Sequence, residues 1–245
     1  MSTNVLTLFH LADSAFPIGA SSHSFGLETL TAEGNLTAPE IEQFLTDLLW
    51  ESGQLEAVFV RLAYRSALLR DETTMISQWL SLNRTIAAAK GARESRMASA
   101  TLGRRFLQTV AQLELDPLLQ RLYQTTMAMA VEIHHSVAFG FIGGHLSLDE
   151  EKTVLAYLQQ NTMGLVSACQ RLLPIGQQRA SEILWRLKPI FIEIAQTSDE
   201  LLPKLTSIEQ SMDLQTYLTN LTFFTPLVDL GSMRHPTLTT RLFIS

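Results

Sequence analysis

His23 stands among Ser21, Ser22 and Ser24, with Asp13 and Glu28 not far away in sequence. A hydroxyl, an imidazole and a carboxylate are the three groups acyl transfer needs as nucleophile, general base and orienter of the base. The chemistry also needs a sharp nucleophile elbow around the serine, and neither Ser22 nor Ser24 sits in one. The stretch FPIGASSHSFGLE, Phe16 to Glu28, reads more simply as a turn whose hydroxyls cap the following helix, with Ser22 as the expected N-cap. Phosphate binding fares no better. Gly19-Ala20-Ser21 lacks the lysine of a nucleotide loop, and Gly143-Gly144 is followed by His145-Leu146.

Metal chemistry meets a similar obstacle. His134 and His135 are adjacent, so on a helix they diverge by about 100° and chelate one ion poorly. His10, His23, His145 and His235 are scattered, and Cys169 has no cysteine or histidine at ligand spacing. The expectation is therefore no catalytic residue, no metal ligand and no cofactor bound by this chain. The segment KGARESRMASATLGRRF gathers Lys90, Arg93, Arg96, Arg104 and Arg105 against Glu94 alone. On a helix it offers a basic docking face for an acidic protein, with Met97, Leu102 and Phe106 on the core side.

The elements that must position these residues are helical. Period-two alternation of β-branched residues is hard to find, whereas Leu, Ala, Gln, Glu and Arg recur at helical spacing. Thr37 with Glu40 and Ser147 with Glu150 fit capping boxes, and Asp116-Pro117 marks another helix start. The spacing predicts helices over 5–15, 23–33, 54–70, 72–89, 92–113, 117–130, 131–142, 148–172, 177–196 and 208–224, besides the one opened by Thr37. With no long linker and no internal repeat, residues 1–245 read as one all-α domain, a bundle of about ten helices. Leu8, Phe44, Trp50, Leu155 and Leu187 are expected inside it.

A net charge of −6 argues against a general nucleic-acid binder, and no apolar run reaches the roughly 18 residues of a membrane span. The single cysteine and the lack of a leader after Met1 point to the cytoplasm. After Pro226 the sequence shows little helical period and carries Gly231 and Pro236, so residues 226–245 are expected to form an irregular tail. Ordering it costs more backbone entropy than burying Leu242, Phe243 and Ile244 returns, so partner-dependent ordering is the expectation.

ADSAFPIGASSHSFGLE resembles the N-terminal signature of the urease accessory protein F family (UreF). RLLPIGQ, Arg171 to Gln177, and the ending SMRHPTLTTRLFIS from Ser232 are similar to two further family blocks, and RESRMASATLGRRF fits the middle of such proteins. Ser21 stands where relatives commonly carry an aromatic residue. The resemblance implies an all-α, non-catalytic adaptor in nickel-dependent urease maturation. Its implied partners are accessory protein D (H in some organisms), the GTPase accessory protein G and apo-urease, with homodimerisation in the assembly. Nickel and GTP would then be handled by the partners. Phe16, Pro17, Gly19, Ser21, His23, Phe25 and Glu28 at one end, and Arg234, His235, Arg241, Leu242 and Phe243 at the other, are the expected partner-binding residues. The competing readings are a small helical enzyme using His23, His134 or Glu28, and a GTPase activator in the strict sense with Arg241 or Arg234 as a finger.

Overall fold

The glycines of GFIGG decide how the centre of the molecule is built. In the computed structural model, which describes residues 2–202 and 225–244, they lie on helix α8 (His135–His145), buried along nearly its whole length. It packs on α4 (Gln54–Ser66) so closely that a Cβ at Gly140 would come within 2.0 Å of the Val60 carbonyl oxygen. Only a residue without a side chain lets the two backbones meet there, and apolar residues on both helices then fill the core.

The other helices surround this pair. They are α1 (Ser2–Leu11), α2 (Leu27–Ala32), α3 (Ile41–Leu48), α5 (Glu72–Ala89), α6 (Arg93–Leu113), α7 (Pro117–Ala128), α9 (Glu150–Leu172), α10 (Gln177–Arg186), α11 (Lys188–Leu201) and α12 (Pro226–Arg234). A π-helical turn, Leu49–Gly53, carries α3 directly into α4. The described residues contain no strand, so the all-α reading holds. One hydrophobic cluster runs from Leu8 on α1 to Ile194 on α11 and takes in Phe243 from the tail.

Local signals worked where the capping residue was unambiguous. The Thr37 amide donates to Glu40 at 2.9 Å, and Asp116 Oδ1 accepts from the Leu118 amide at 2.7 Å. Ser147 does not cap α9. Its φ is 53°, and Asp149 two residues later accepts the Lys152 amide at 2.9 Å instead. The helix expected over 177–196 breaks at Leu187, because Pro189 has no N–H to continue the ladder. Residues 131–134 are not helical, with His134 extended at the N-cap, so α8 starts later than its spacing suggested. Leu8 and Leu187 are buried as expected, whereas Phe44, Trp50 and Leu155 pack half-buried against the cluster. The helix expected over 208–224 lies outside the described residues.

The two ends of the chain depart most from expectation. α2 begins at Leu27 rather than His23, because Phe25 (φ 51°) and Gly26 (φ 87°) adopt left-handed conformations that a helix cannot contain. Ser22 closes a 3-10 turn, Ala20–Ser22, and Gly26 takes the N-cap position. The tail is helical over Pro226–Arg234 and in a 3-10 turn, His235–Thr237, before it turns irregular.

Candidate functional site: the joined chain ends

Glu28 lies in the first turn of α2 and is only 5% exposed. A buried carboxylate needs donors around it, and here they come from the far end of the chain. Glu28 Oε2 lies 2.7 Å from His235 Nε2 and accepts the Phe243 amide at 3.2 Å, while Oε1 accepts the Leu242 amide at 2.5 Å. Because an ionised carboxylate only accepts, His235 carries a proton on Nε2. One side chain thus holds residues 235–243 down onto the N-terminal loop.

Arg171, near the end of α9, makes the second fastening. Its Nη1 donates to the Ser21 carbonyl at 2.7 Å and its Nη2 reaches the Leu242 carbonyl at 3.5 Å, while the guanidinium lies 4.2 Å over the Phe243 ring centroid. The Ile244 amide then donates to the Ser22 carbonyl at 2.9 Å, a backbone bond that joins loop and tail directly.

α12 seats on α2 through residues without bulk. A Cβ at Gly26 would stand 2.7 Å from the Val228 carbonyl oxygen and 2.9 Å from the Ser232 nitrogen, so glycine is required there for both its φ and its space. Ser232 Oγ lies 2.8 Å from Ser95 Oγ on α6, and Arg234 pairs with Glu33 at 3.3 Å on the surface. Below the loop, Phe16 packs its ring 5.3 Å from that of Phe106, and Arg105 Nη1 donates to the Ile18 carbonyl at 3.2 Å beside Gly19. His23 is buried with its ring against Phe25; burial and then the Arg105 charge hold its pKa below the usual imidazole value.

The expected site residues therefore come together, but they divide by role. Phe16, His23, Glu28, His235 and Phe243 are buried and hold the two ends in place. Gly19 and Phe25 are half-buried, while Pro17, Ser21, Arg234, Arg241 and Leu242 face solvent. Sequence reasoning did not place Arg171, Gly26 or Ile244 among the site residues. A signal existed for the first, since Arg171 opens the RLLPIGQ block and a guanidinium can serve two carbonyls and a ring at once.

Two residues of the competing enzyme reading have partners of their own. Glu28 is occupied by the tail, and fully buried His134 approaches Ser99 Oγ with Nδ1 at 3.2 Å. Its Nε2 is 3.5 Å from Glu132 Oε2 without hydrogen-bond geometry, and burial holds its pKa at about 3. Burial also pushes the Cys169 thiol up to about 12, so it is not a thiolate nucleophile. No group of three or more His, Cys, Asp or Glu among the described residues is placed to hold a metal ion. The basic face is smaller than expected. Arg93, Arg104 and Arg105 are exposed, but Lys90 is folded inward onto Glu56, and Met97 is 49% exposed instead of facing the core.

The UreF family model matches residues 37–188, more than half of the chain. A protein of Nostoc sp. described as urease accessory protein UreF is 30% identical over 259 aligned positions, covering 100% of both chains. This chain belongs to the UreF family. Proteins of the same description from Actinobacillus pleuropneumoniae and Bacillus sp. (strain TB-90) are 28% and 29% identical, each aligning with 97% or more of both chains. The matched segment spans α3 to α10 and leaves out both joined ends, whereas the alignment with the Nostoc protein includes them. Among the described residues of this UreF chain, no helix is long and apolar enough to cross a membrane.

Proposed function

We propose that this UreF chain is a non-catalytic adaptor of urease maturation. It joins the D/H-type accessory protein and the G-type GTPase to apo-urease in the cytoplasm, as a homodimer within the assembly, and leaves nickel and GTP to those partners. The observation that carries this reading is the Glu28 clamp, which makes one surface of two chain ends. Ser21, Arg241, Leu242 (59% exposed) and Ile244 (72% exposed) are exposed residues of these two ends. Such a patch suits recognition: each apolar side chain gains about 1.5 to 3 kcal/mol on full burial, and Arg241 can grip a carboxylate with two bonds.

The test is co-purification with the urease accessory set. Arg241→Ala is expected to weaken recruitment of the GTPase at least tenfold while leaving helicity unchanged. Undiminished recovery of the GTPase would remove Arg241 from the interface. Failure of the unaltered chain to recover either accessory protein would remove the adaptor reading itself. The tail's dependence on a partner is checked separately, by comparing protease cleavage after Arg241 with and without the D/H-type protein.

A further inference from the structure

The chain carries 24 acidic side chains against 18 lysines and arginines, yet α6 holds arginines 93, 96, 104 and 105 with Glu94 as its one acid. Arg96 pairs with Glu132 at 3.5 Å, whereas exposed Arg93, Arg104 and Arg105 make no ion pair among the described residues. A helical repeat of about 100° per residue puts Arg93, Met97 and Arg104 within about 40° of one another, and the rise sets the two arginines about 16 Å apart along the axis. Between them Met97, expected on the core side, is 49% exposed. Neighbouring elements stop short of this face. α12 meets α6 at Ser95, the α7–α8 connection meets it at Arg96 and Gly103, and the N-terminal loop meets it at Arg105.

Charge and side-chain chemistry select what covers it. A second copy of the chain, paired symmetrically through this face, would set arginine against arginine. A nucleic-acid backbone would satisfy the arginines but has no use for a methionine between them. An acidic protein uses both, because a guanidinium can grip a carboxylate with two parallel hydrogen bonds and the unbranched thioether adapts to the apolar side chain opposite. Half-buried Ala100 and Thr101 add little bulk beside Met97, so another helix can approach closely. We propose that the Arg93–Met97–Arg104 face of α6 docks an acidic helix of another protein, with carboxylates about three turns apart and an apolar residue between them. The inference rests on the adaptor reading, and it gives one partner of that adaptor a second surface and a stated charge.

The test is co-purification with the D/H-type protein, the G-type GTPase and apo-urease, one at a time, at low and at high salt. Combining Arg93→Glu with Arg104→Glu should lower recovery of at least one of them tenfold or more at low salt. Arg93→Lys with Arg104→Lys, which keeps the charge, should cost that partner less, and Met97→Asp should weaken the same partner. Equal recovery of all three by the charge-reversed chain would overturn the docking face and leave the adaptor reading standing, whereas failure of the unaltered chain to recover any would overturn both. Duplex DNA retained by the unaltered chain and lost on reversal, or self-association altered by reversal, would give the face to another occupant and overturn the proposal too. Should the reversed chain fail to fold, peroxide oxidation of Met97 in the unaltered chain decides. One of the three partners should slow it several-fold, and an unchanged rate with every partner would overturn the proposal.

Discussion

Glu28 and Glu56 are both buried carboxylates, 5% and 6% exposed, yet they hold different things. Glu28 is satisfied by two backbone amides and an imidazole of the tail, more than two hundred residues away in sequence. Glu56 is satisfied by Lys90 at the end of α5 and Tyr157 on α9, side chains rooted in rigid helices. Burial alone would push the Glu56 carboxyl up, but the Lys90 charge and the hydrogen bonds from Lys90 and Tyr157 outweigh it and leave it below the usual carboxylate range. A buried carboxylate facing backbone of a terminal segment is a fastening, whereas one facing side chains of the body is part of the body. Removing the first should free a segment; removing the second should weaken the whole molecule.

The largest effect is expected at Glu56. Glu56→Ala leaves the nearly buried Lys90 ammonium without its counter-charge and the Tyr157 hydroxyl without an acceptor, a loss of about 3 to 5 kcal/mol. Urea unfolding measures it, and combining Glu56→Gln with Lys90→Met should recover much of the loss because no uncompensated charge remains. A loss below about 1 kcal/mol would erase the distinction between the two glutamates.

Acidification comes next and acts mostly on the body, with His23 of the loop, also held below its usual value by burial and then Arg105, adding in the same direction. Burial lowers His134 to about 3 and His135 to about 4 from an ordinary 6.5, so in the mildly acid range the unfolded chain binds protons that the folded chain does not. Stability is then complete well above pH 6.5 and falls as pH drops from there toward 4. Two such groups cost about 2 to 3 kcal/mol between pH 7.5 and 5.5. His135→Phe should remove about half of that slope, and a flat profile over the same range would show that the histidines are reached by solvent.

At the fastening, Glu28→Ala is expected to cost about 1.5 to 3 kcal/mol, the range for hydrogen bonds to a charged acceptor. Its mark is local: trypsin should cut after Arg234 and Arg241 in conditions where the body resists. Gly26→Ala should do the same from the other side, since its Cβ would collide with the Val228 carbonyl and its φ is unsuited to alanine. Cleavage spread evenly over the chain would show that the ends do not open separately from the body.

The body was legible in the sequence because its helices carry local signals, and α5 (Glu72–Ala89) runs over the very residues its spacing predicted. The fastening was not, because nothing local links Glu28 to Phe243. The resemblance nominated both ends but not the bond between them. α12 escaped notice for a physical reason: its inward face is Gly231 and Ser232, while Leu227, Leu230 and Met233 point to solvent, so its apolar stripe does not mark its buried side. Glu56 and Arg61 could have been found. Both are charges set within the apolar run LEAVFVRLAY, a pattern that calls for buried partners; Arg61 finds Ser198, the Ala195 carbonyl and Glu150.

The smallest effect should come from Arg171→Lys. The ammonium keeps the charge but cannot reach both the Ser21 and Leu242 carbonyls or lie flat over the Phe243 ring. Arg171 is exposed, so global stability should move by no more than about 0.5 kcal/mol. The change should appear instead in hydrogen exchange of the Ile244 amide, whose bond to the Ser22 carbonyl depends on loop and tail staying together. Exchange several-fold faster there, with the amides of α8 unchanged, would establish Arg171 as the second fastening. An unchanged Ile244 rate would leave Glu28 to hold the ends without it, and would move the exposed Arg171 to the surface on which a partner rests.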